Sequence, residues 1–507
     1  MKRIGMKMSP SEKIAQKLQE FLEKRGEETL ETVRRTITEE QKSIECKEVK
    51  EALNYFINEY RLDNVRYSLP STVCEVVEEK PEITKSVAVS LILINGAINV
   101  HSDIIRGFKS KCGKPTIYGK YGRDIALLVG DALLFKGLLL LHKTENLSKE
   151  KLSAVPALRG KIAIMPHKEQ KTPRQEKIIE TVQRLMEERG AKPVEMARKE
   201  ILRGDIKNIE VQEVLNYFVK EWWEEILPFV LGPTVISLAC EAVGGDPEIT
   251  VPIAASIVLM GSGIEMHDDI IDSSKTKKSI LTVFGEFGTN MALVAGRTLI
   301  VKGLTLLHEA RRKGVPSEKM SLINDIVEKS FFEYGDAVGL ALELRGNLDI
   351  APEKYMHITR KKGSIIEGQV RIGAMVGGGT EGEIEALGRF GRILGTLLTI
   401  RGEFIDMFET EELHNRWANE CLPLPILYAL QSPEGKEQII HTLEKETLRK
   451  KDVDTLVEVI YGTKQVESLK DTIQNLAEEA NLMLLPLVQS ESVESLKLFV
   501  SATVQAL

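Results

Sequence analysis

The sequence has few cysteines for its length, and their spacing does not suggest a metal site. The 507-residue chain contains five, at positions 46, 74, 112, 240 and 421, and no two are separated by only two residues. This scatter argues against a disulfide framework and against a structural zinc site. It favours a reducing environment, so we expect the protein to be cytoplasmic.

Other signals are missing as well. Lys and Arg number 68 against 75 Asp and Glu, the formal net charge is −7, and no basic stripe dominates any segment, so no nucleic-acid partner is expected. The start, MKRIGMKMSPSEK, has positive charges without an apolar segment behind them. The longest apolar stretches, such as ILPFVLGPTVISLAC (226–240), fall short of a bilayer span. We therefore predict neither a secretory signal nor a transmembrane segment.

Alternating strand patterns are nearly absent, and helical periodicity takes their place. In residues 174–190, RQEKIIETVQRLMEERG, apolar side chains recur at helical spacing, and Gly190 stands where such a helix would end. The segments ITVPIAASIVLMGSGIEM (249–266) and NMALVAGRTLIVKGLTLLH (290–308) are apolar almost all round, as in central buried helices. The pattern predicts an all-α protein, and its length predicts more than one domain.

Part of the chain is repeated. LNYF occurs at 53–56 and 215–218, PEIT occurs at 81–84 and 247–250, and the similarity ends near residues 142 and 308. The stretch after the first copy contains three prolines and mixed charge, as a linker does. We predict a partial, degenerate repeat at 1–143, a linker at 144–172 and a complete domain at 173–507.

The second copy contains three acids in a short string, EMHDDIIDSSKTKKS (265–279). Spacing i, i+1, i+4 puts Asp268 and Asp272 on one helical face with Asp269 beside them. The spacing alone leaves a solvated acidic face open, but these acids end an apolar helix, and buried carboxylates need cations. Mg²⁺ suits clustered carboxylates and keeps coordination positions for substrate phosphates. Lys277 and Lys278 follow closely, so the string predicts a magnesium–diphosphate site.

These residues carry a family resemblance. The string HDDIID…KKSILTVFGEFG…ALVAG resembles the first aspartate-rich region of the trans-isoprenyl diphosphate synthases, and the resemblance covers about residues 173–430. It implies an isoprenoid-synthase-type bundle of long antiparallel helices around a central cavity, with two aspartate-rich helices facing each other across its mouth. It also implies an allylic prenyl diphosphate that is held by Mg²⁺, ionised, and attacked by isopentenyl diphosphate.

Further matches extend the implied site. YMHITRKKGS (355–364) resembles the family's diphosphate-contacting helix and assigns that contact to Lys361, with Lys362 where the family has threonine. LLTIRGEFIDMFE (397–409) resembles the second aspartate-rich region, although Gly402 replaces its first acid. The resemblance then implies Glu403 and Asp406 as metal ligands on that helix.

The resemblance also gives an expectation about the cavity floor. In the family, bulky side chains one and two turns before the acids stop chain growth. The corresponding residues, five and eight positions before Asp268, are Gly263 and Met260. A glycine and a flexible methionine predict a deep cavity and a substrate or product of about twenty carbons or more.

Two departures keep the function open. The family's basic segment for isopentenyl diphosphate is replaced by PFVLGP (228–233), and in the first copy Ser102, Asp103 and Arg106 stand opposite the three acids. Chain elongation and single-substrate cyclisation or hydrolysis both remain. The alternative is a catalytically silenced pseudo-synthase, a prenyl-diphosphate-binding or regulatory subunit of another synthase. The first copy is expected to pack as a partner, making the protein a homodimer or an intrachain pseudo-dimer.

Overall fold

A computed structural model of the protein shows an almost entirely helical chain, as predicted. It describes residues 30–58, 81–111, 113–143, 173–222, 227–277, 280–313, 315–445 and 448–505. The chain divides into two compact units, Met1–Lys151 and Leu152–Leu507. The predicted linker at 144–172 lies outside the described residues, and the predicted domain boundaries stay a prediction.

The described residues of the first unit form four helices and one short hairpin: α1 (30–40), α2 (Lys47–Asn58), α3 (Pro81–Arg106), β1 (Ser110–Lys111), β2 (Lys114–Pro115) and α4 (Ile117–Lys143). Helices α3 and α4 pack along each other. Glu40 at the end of α1 forms an ion pair with Lys136 on α4. The hydroxyl of Tyr55 on α2 donates to the carbonyl of Pro115 at 2.7 Å, which fixes the hairpin against α2.

The front of the second unit repeats this arrangement with additional helices: α5 (Pro173–Ile201), α6 (Ile209–Tyr217), α7 (Leu227–Ala242), α8 (Val251–Ile271), β3 (Thr276–Lys277), β4 (Ile280–Leu281) and α9 (Val283–Glu309). The predicted helix end at Gly190 is wrong, because α5 continues through Gly190 and Pro193. Val182 and Leu185 are buried in the core where α5 packs against α7 and α8, and this packing outweighs the cost of one glycine, about 1 kcal/mol.

The rest of the second unit completes the bundle: α10 (Ser317–Glu343), α11 (Pro352–Lys362), α12 (Ser364–Val376), α13 (Glu381–Phe408), α14 (Thr410–Asn419), α15 (Leu424–Ala429), α16 (Pro433–Leu443), α17 (Lys450–Tyr461), α18 (Lys464–Met483) and α19 (Glu491–Val504). Thr380 and Glu383 form a capping box that starts α13. The apolar face of α13 buries Phe390, Leu397 and Phe404 in the core of this unit. The acidic C-terminal end of α13 is thereby held in place.

Helices α8 and α9 approach each other closely through glycines. A Cβ atom on Gly263 would collide with the carbonyl oxygen of Gly296, and one on Gly303 would come within 2.6 Å of Met260 Cγ. His267 on α8 also contacts the carbonyl of Leu293 on α9 at 3.1 Å. The two long apolar helices therefore pack as one layer, and α8 presents its acidic end beyond that layer.

Three helical segments among the described residues are longer apolar stretches than the sequence analysis predicted. Residues 86–106, 247–271 and 283–309 are long and apolar enough to cross a membrane by length and composition alone. The expectation that every apolar stretch falls short of a bilayer span is therefore wrong. Between 61% and 72% of the apolar window in each segment is buried inside the protein.

The two units share local features at a constant offset of 166 residues. The hairpin β1–β2 corresponds to β3–β4 in position and register. Thr116 and Thr282 each donate from the side chain to the carbonyl eight residues earlier, at 2.7 Å in both cases. Positive φ angles occur at Gly107 (66°) and at Ser273 (57°), which is non-glycine at a position that favours glycine. The same turn is thus built twice.

Candidate active site

The acidic end of α8 carries four carboxylates on one side of the helix. Glu265, Asp268, Asp269 and Asp272 lie at spacing i, i+3, i+4, i+7, which brings them onto neighbouring turns. Asp268 and Asp272 are half-buried, and Asp269 is only 6% exposed. Sequence reasoning missed Glu265, although it lies one turn before Asp269 and could have been found by extending the acidic face backwards.

The adjacent aspartates have different partners. Asp268 Oδ2 accepts a hydrogen bond of 2.9 Å from the hydroxyl of Tyr334 on α10. Asp269 Oδ1 lies 2.8 Å from Nζ of Lys277 on β3, and the same ammonium lies 2.6 Å from Glu265 Oε1. Lys277 therefore ties the hairpin to α8 through two acids. Lys278, the second predicted phosphate ligand here, lies outside the described residues.

The surroundings of these acids disfavour their charged forms. Burial raises the pKa of Asp268 well above its usual value, and the charge of Asp272 raises it further, against the hydrogen bond from Tyr334. Burial also raises the pKa of Asp269 to about 7, although Lys277 opposes this. The pKa of Asp272 is raised by burial, while the charges of Lys277, Lys362 and Arg416 oppose the rise. An additional cation would stabilise all three carboxylates.

Helix α11 brings two lysines to the same region. Lys361, predicted to contact diphosphate, forms an ion pair of 2.7 Å with Asp336 on α10, and both side chains are buried. Burial keeps this pair out of water, so a phosphate ligand would compete with Asp336 for Lys361. Lys362 is half-buried, and its positive charge acts on Asp272 and Glu265. Sequence reasoning missed Asp336, which no local spacing to Lys361 reveals.

The end of α13 carries the acids that were predicted as the second metal-binding set. Glu403 is 3% exposed, and its Oε2 accepts hydrogen bonds from Arg416 at 2.7 Å and from the backbone N–H of Leu424 at 3.0 Å. Asp406 Oδ2 lies 3.1 Å from Arg416 Nη1. Burial raises the pKa of Asp406 to about 7, against the charge of Arg416. Both acids share one arginine from α14, which sequence reasoning missed.

Helix α14 also contacts the turn after α8. The amide nitrogen of Asn415 donates to the carbonyl of Asp272 and to the hydroxyl of Ser274, both at 3.1 Å. Glu411 Oε2 accepts a hydrogen bond of 3.1 Å from Thr276 on β3. The acidic ends of α8 and α13 are therefore connected through α14.

Two residues were predicted to form the cavity floor, and both lie where α8 meets α9. Gly263 lies against Gly296 and Ile300 of α9, and Met260 packs against Gly303 of the same helix. Both residues are buried where α8 packs against α9. The close approach of the two helices is a packing reason for glycine at 263, and the length of a bound prenyl chain stays a prediction.

The donor set fits a divalent cation on α8 and does not fit one on α13. Within the described residues, no group of three or more His, Cys, Asp and Glu side chains converges as a finished metal site. On α8, however, Asp268 and Asp272 are half-buried carboxylates whose mutual repulsion a cation would relieve. Two carboxylates with waters and phosphate oxygens suit the octahedral preference of Mg²⁺. Glu403 on α13 already accepts three hydrogen bonds from protein donors.

Comparison with known proteins agrees with the fold. Residues 231–460 match the model of the polyprenyl synthetase family. It is 29% identical over 229 residues to a short chain isoprenyl diphosphate synthase of Methanothermobacter thermautotrophicus, and 27% identical over 237 residues to a geranylgeranyl diphosphate synthase of Sulfolobus acidocaldarius. These matches span 45% and 46% of this chain, and 66% and 68% of the relatives. A geranylgeranyl diphosphate synthase of Methanosarcina mazei, 28% identical, is covered over 56% of its length.

Solved structures support the helical bundle. A geranylgeranyl pyrophosphate synthetase from Pyrococcus horikoshii superposes with a TM-score of 0.55 at 22% identity, over 65% of this chain and 99% of that one. A polyprenyl synthase from Caulobacter crescentus, complexed with calcium and isoprenyl diphosphate, superposes with a TM-score of 0.53 at 16% identity, over 66% and 99%. At these identities the likeness shows the fold alone, which is the all-α isoprenoid-synthase fold.

Proposed function

We propose that the protein is a prenyl diphosphate synthase that binds an allylic prenyl diphosphate at the end of α8 and elongates it. The observation that carries this proposal is the pair Asp268 and Asp272, two half-buried carboxylates whose charged forms burial disfavours, within the residues that match the polyprenyl synthetase family. The named functions of the relatives, short chain isoprenyl and geranylgeranyl diphosphate synthesis, support elongation.

Each residue of the site would have its own role in this reaction. Asp268 and Asp272 would hold Mg²⁺, while Tyr334 orients the Asp268 carboxylate through its hydrogen bond. Lys362, whose charge already reaches Asp272, would bind a diphosphate oxygen directly. Bound Mg²⁺ would neutralise the charge that develops on the departing diphosphate. The apolar layer of α8 and α9 would keep water away from the allylic cation.

A second candidate follows from residues 228–233. This segment, PFVLGP, contains no cation, whereas an isopentenyl diphosphate bound there would need one, because an unpaired dianion in an apolar site is costly. Ionisation of one allylic diphosphate, followed by cyclisation or by capture of water, needs no second diphosphate. This observation favours a single-substrate reaction over elongation.

One assay tests the proposal against both alternatives. The purified protein is incubated with Mg²⁺ and geranyl, farnesyl or geranylgeranyl diphosphate, with and without isopentenyl diphosphate, and diphosphate release and product chain length are measured. Release only with isopentenyl diphosphate, together with longer products, supports elongation. Release without it identifies the single-substrate reaction. No release from any substrate, with allylic diphosphate still bound, identifies a silenced binding subunit and contradicts the proposal.

The variant Asp268→Asn tests the location of the site, because it removes one charge and keeps the side-chain shape. We expect diphosphate release to fall by two or more decades, on the order of the loss for a deleted charge-stabilising contact. Unchanged release in Asp268→Asn would mean that the reaction does not take place at the end of α8.

A further inference from the structure

The second acidic helix, α13, has lost one of its acids. Gly402 occupies the position of the first acid in the family pattern, and a Cβ atom there would meet nothing within 4 Å. The position is therefore open, and nothing in the local packing demands a glycine. The acids left on this part of α13 are Glu403 and Asp406, one turn apart and on one side of the helix.

Arg416 reaches both of these acids from α14. Its Nη2 lies 2.7 Å from Glu403 Oε2 and 3.1 Å from the hydroxyl oxygen of Tyr355, and its Nη1 lies 3.1 Å from Asp406 Oδ2. Its Nε donates to the carbonyl of Cys421 at 2.8 Å. With 6% of its surface exposed, the residue is buried, and every nitrogen of the guanidinium has a protein partner.

Glu403 has little capacity left for another ligand. Its Oε2 accepts from Arg416 and from the backbone N–H of Leu424, and its Oε1 accepts from the hydroxyl of Tyr355 at 3.1 Å. A carboxylate oxygen takes about two donors. A metal ion at Glu403 would have to break a buried ion pair, and leaving one partner of such a pair uncompensated is strongly unfavourable.

We propose that Arg416 takes the place of a metal ion at the second acidic helix, so that divalent cations are held by α8 alone. The guanidinium sits between Glu403 and Asp406 as a shared cation would, and it is supplied by the chain itself. The inference rests on the proposed function only in assuming that Asp268 and Asp272 bind Mg²⁺. It makes Arg416 a positioning residue, which fixes α14 and, through Asn415, the turn after α8.

The test counts bound metal ions. Mn²⁺, which can be counted by electron paramagnetic resonance, is titrated into the full-length protein with inorganic pyrophosphate present. The variant Arg416→Gln vacates the guanidinium position and should bind one Mn²⁺ more than the unmodified protein. In EDTA its apparent Tm should drop by about 5–10 °C, because a buried pair has been broken, and millimolar Mg²⁺ should restore most of that drop. If Arg416 were only a structural residue, Mg²⁺ would not restore the Tm of Arg416→Gln.

A double variant is the matched control. Arg416→Gln combined with Glu403→Gln removes both partners of the pair, so its Tm in EDTA should exceed that of Arg416→Gln, and the recovery by Mg²⁺ should disappear. If Arg416→Gln gains no Mn²⁺ and no recovery beyond that of the unmodified protein, Arg416 does not replace a cation and the proposal is overturned.

A second variant keeps the proposal testable should Arg416→Gln fail to fold. Glu403→Gln keeps the size and hydrogen-bonding shape of the side chain, and it should leave the number of bound Mn²⁺ and their affinity within about twofold, whereas Asp268→Asn should lower both. A lower Mn²⁺ count in Glu403→Gln overturns the proposal. These counts need only metal and pyrophosphate, so they remain decisive if no prenyl substrate reacts and the proposed function fails.

Discussion

At Asp268 the carboxylate accepts a hydrogen bond from Tyr334, whereas at Asp269, one residue later, it pairs with Lys277. Neighbours in sequence therefore differ in their availability to a ligand. Asp269 pairs with the hairpin, whereas the charge of Asp272 raises the pKa of Asp268. The two carboxylates have different partners because consecutive helical residues point about 100° apart, and only Asp269 points towards β3.

The hydrogen bond from Tyr334 predicts a change in pH dependence. Its hydroxyl favours the ionised form of Asp268, so Tyr334→Phe should raise the pKa of Asp268 further above its usual value. Cation binding needs the ionised form. The pH of half-maximal Mg²⁺-dependent pyrophosphate binding should therefore move upwards by on the order of one unit, since a hydrogen bond to a charged group contributes about 1.5–3 kcal/mol.

Isothermal titration calorimetry over a series of pH values measures this shift. The control is Tyr428→Phe on α15, a half-buried tyrosine in the same unit that makes no contact with the acids of α8 in the described structure. A downward shift in Tyr334→Phe, or an equal upward shift in the control, would contradict the prediction.

Gly263 provides a test of packing rather than of substrate length. In Gly263→Ala the new methyl group would collide with the carbonyl of Gly296, so the free energy of unfolding should fall by about 1–3 kcal/mol. Gly382→Ala on α13 is the matched control, because its Cβ would meet nothing within 4 Å, and it should stabilise the protein by about 0.5–1 kcal/mol. Urea unfolding measures the free energy of unfolding of both variants. Equal stability of the two would show that α8 and α9 can shift to admit the methyl group without losing stability, and it would contradict the prediction.

At the scale of the element, the hairpin after α8 shows how one side chain stabilises a turn and the helix that follows it. Thr282 caps α9 by accepting from the N–H of Gly285 at 2.9 Å, and its hydroxyl donates to the carbonyl of Ser274. Thr116 does the same in the first unit, with Gly119 and Phe108. One side chain therefore closes the turn and starts the following helix, which explains how so short a hairpin, two residues to a strand, can hold its shape.

Replacing this threonine should have the same effect in either unit. Thr282→Val and Thr116→Val keep the side-chain volume and remove the hydroxyl, so each should lower the stability of its own unit by about 1–2 kcal/mol, as for the loss of a helix cap. Hydrogen exchange measured by mass spectrometry assigns the loss to one unit or the other. Increased exchange in the segment 274–286 for Thr116→Val, and not in 108–120, would run against this assignment.

At the scale of the whole molecule, the two units differ in the residues that could do chemistry. The second unit presents Asp268 and Asp272 beside Tyr334, whereas the first has Ser102 and Arg106 at the corresponding positions. Arg106 places a cation where the second unit has an acid. Under the proposed function, the reaction belongs to the second unit alone.

This asymmetry predicts the outcome of a paired substitution in the full chain. Asp268→Asn should abolish diphosphate release, while Asp103→Asn should leave it within about twofold. Asp103 pairs with Lys111, so its substitution is expected to affect stability instead, which circular dichroism during thermal unfolding would register. Equal loss of diphosphate release in the two variants would mean that the first unit takes part in the reaction.

The sequence predicts much of this molecule because its strongest signals are local. The apolar helices α8 and α9, the all-α fold and the acids at the end of α8 all follow from residues close together in the chain. The long-range pairs could not be predicted. Asp336 meets Lys361, and Arg416 meets Glu403, only because separate helices pack side by side. The contact of Gly263 with Gly296 could not be predicted for a related reason, since a glycine that admits a neighbouring backbone is indistinguishable in sequence from one that leaves a hole.

An ion pair between a long apolar helix and the hairpin that follows it occurs in both units, as Asp269 of α8 with Lys277 and as Asp103 of α3 with Lys111. It persists in the unit that has Ser102 and Arg106 in place of the other two acids, so under the proposed function the middle aspartate serves the architecture and the outer two serve the reaction. A genome survey that scores all three aspartates alike would therefore merge two separate criteria. Chains with only the middle one should be classified as well folded and inert, and those with only the outer two as reactive but loosely tethered.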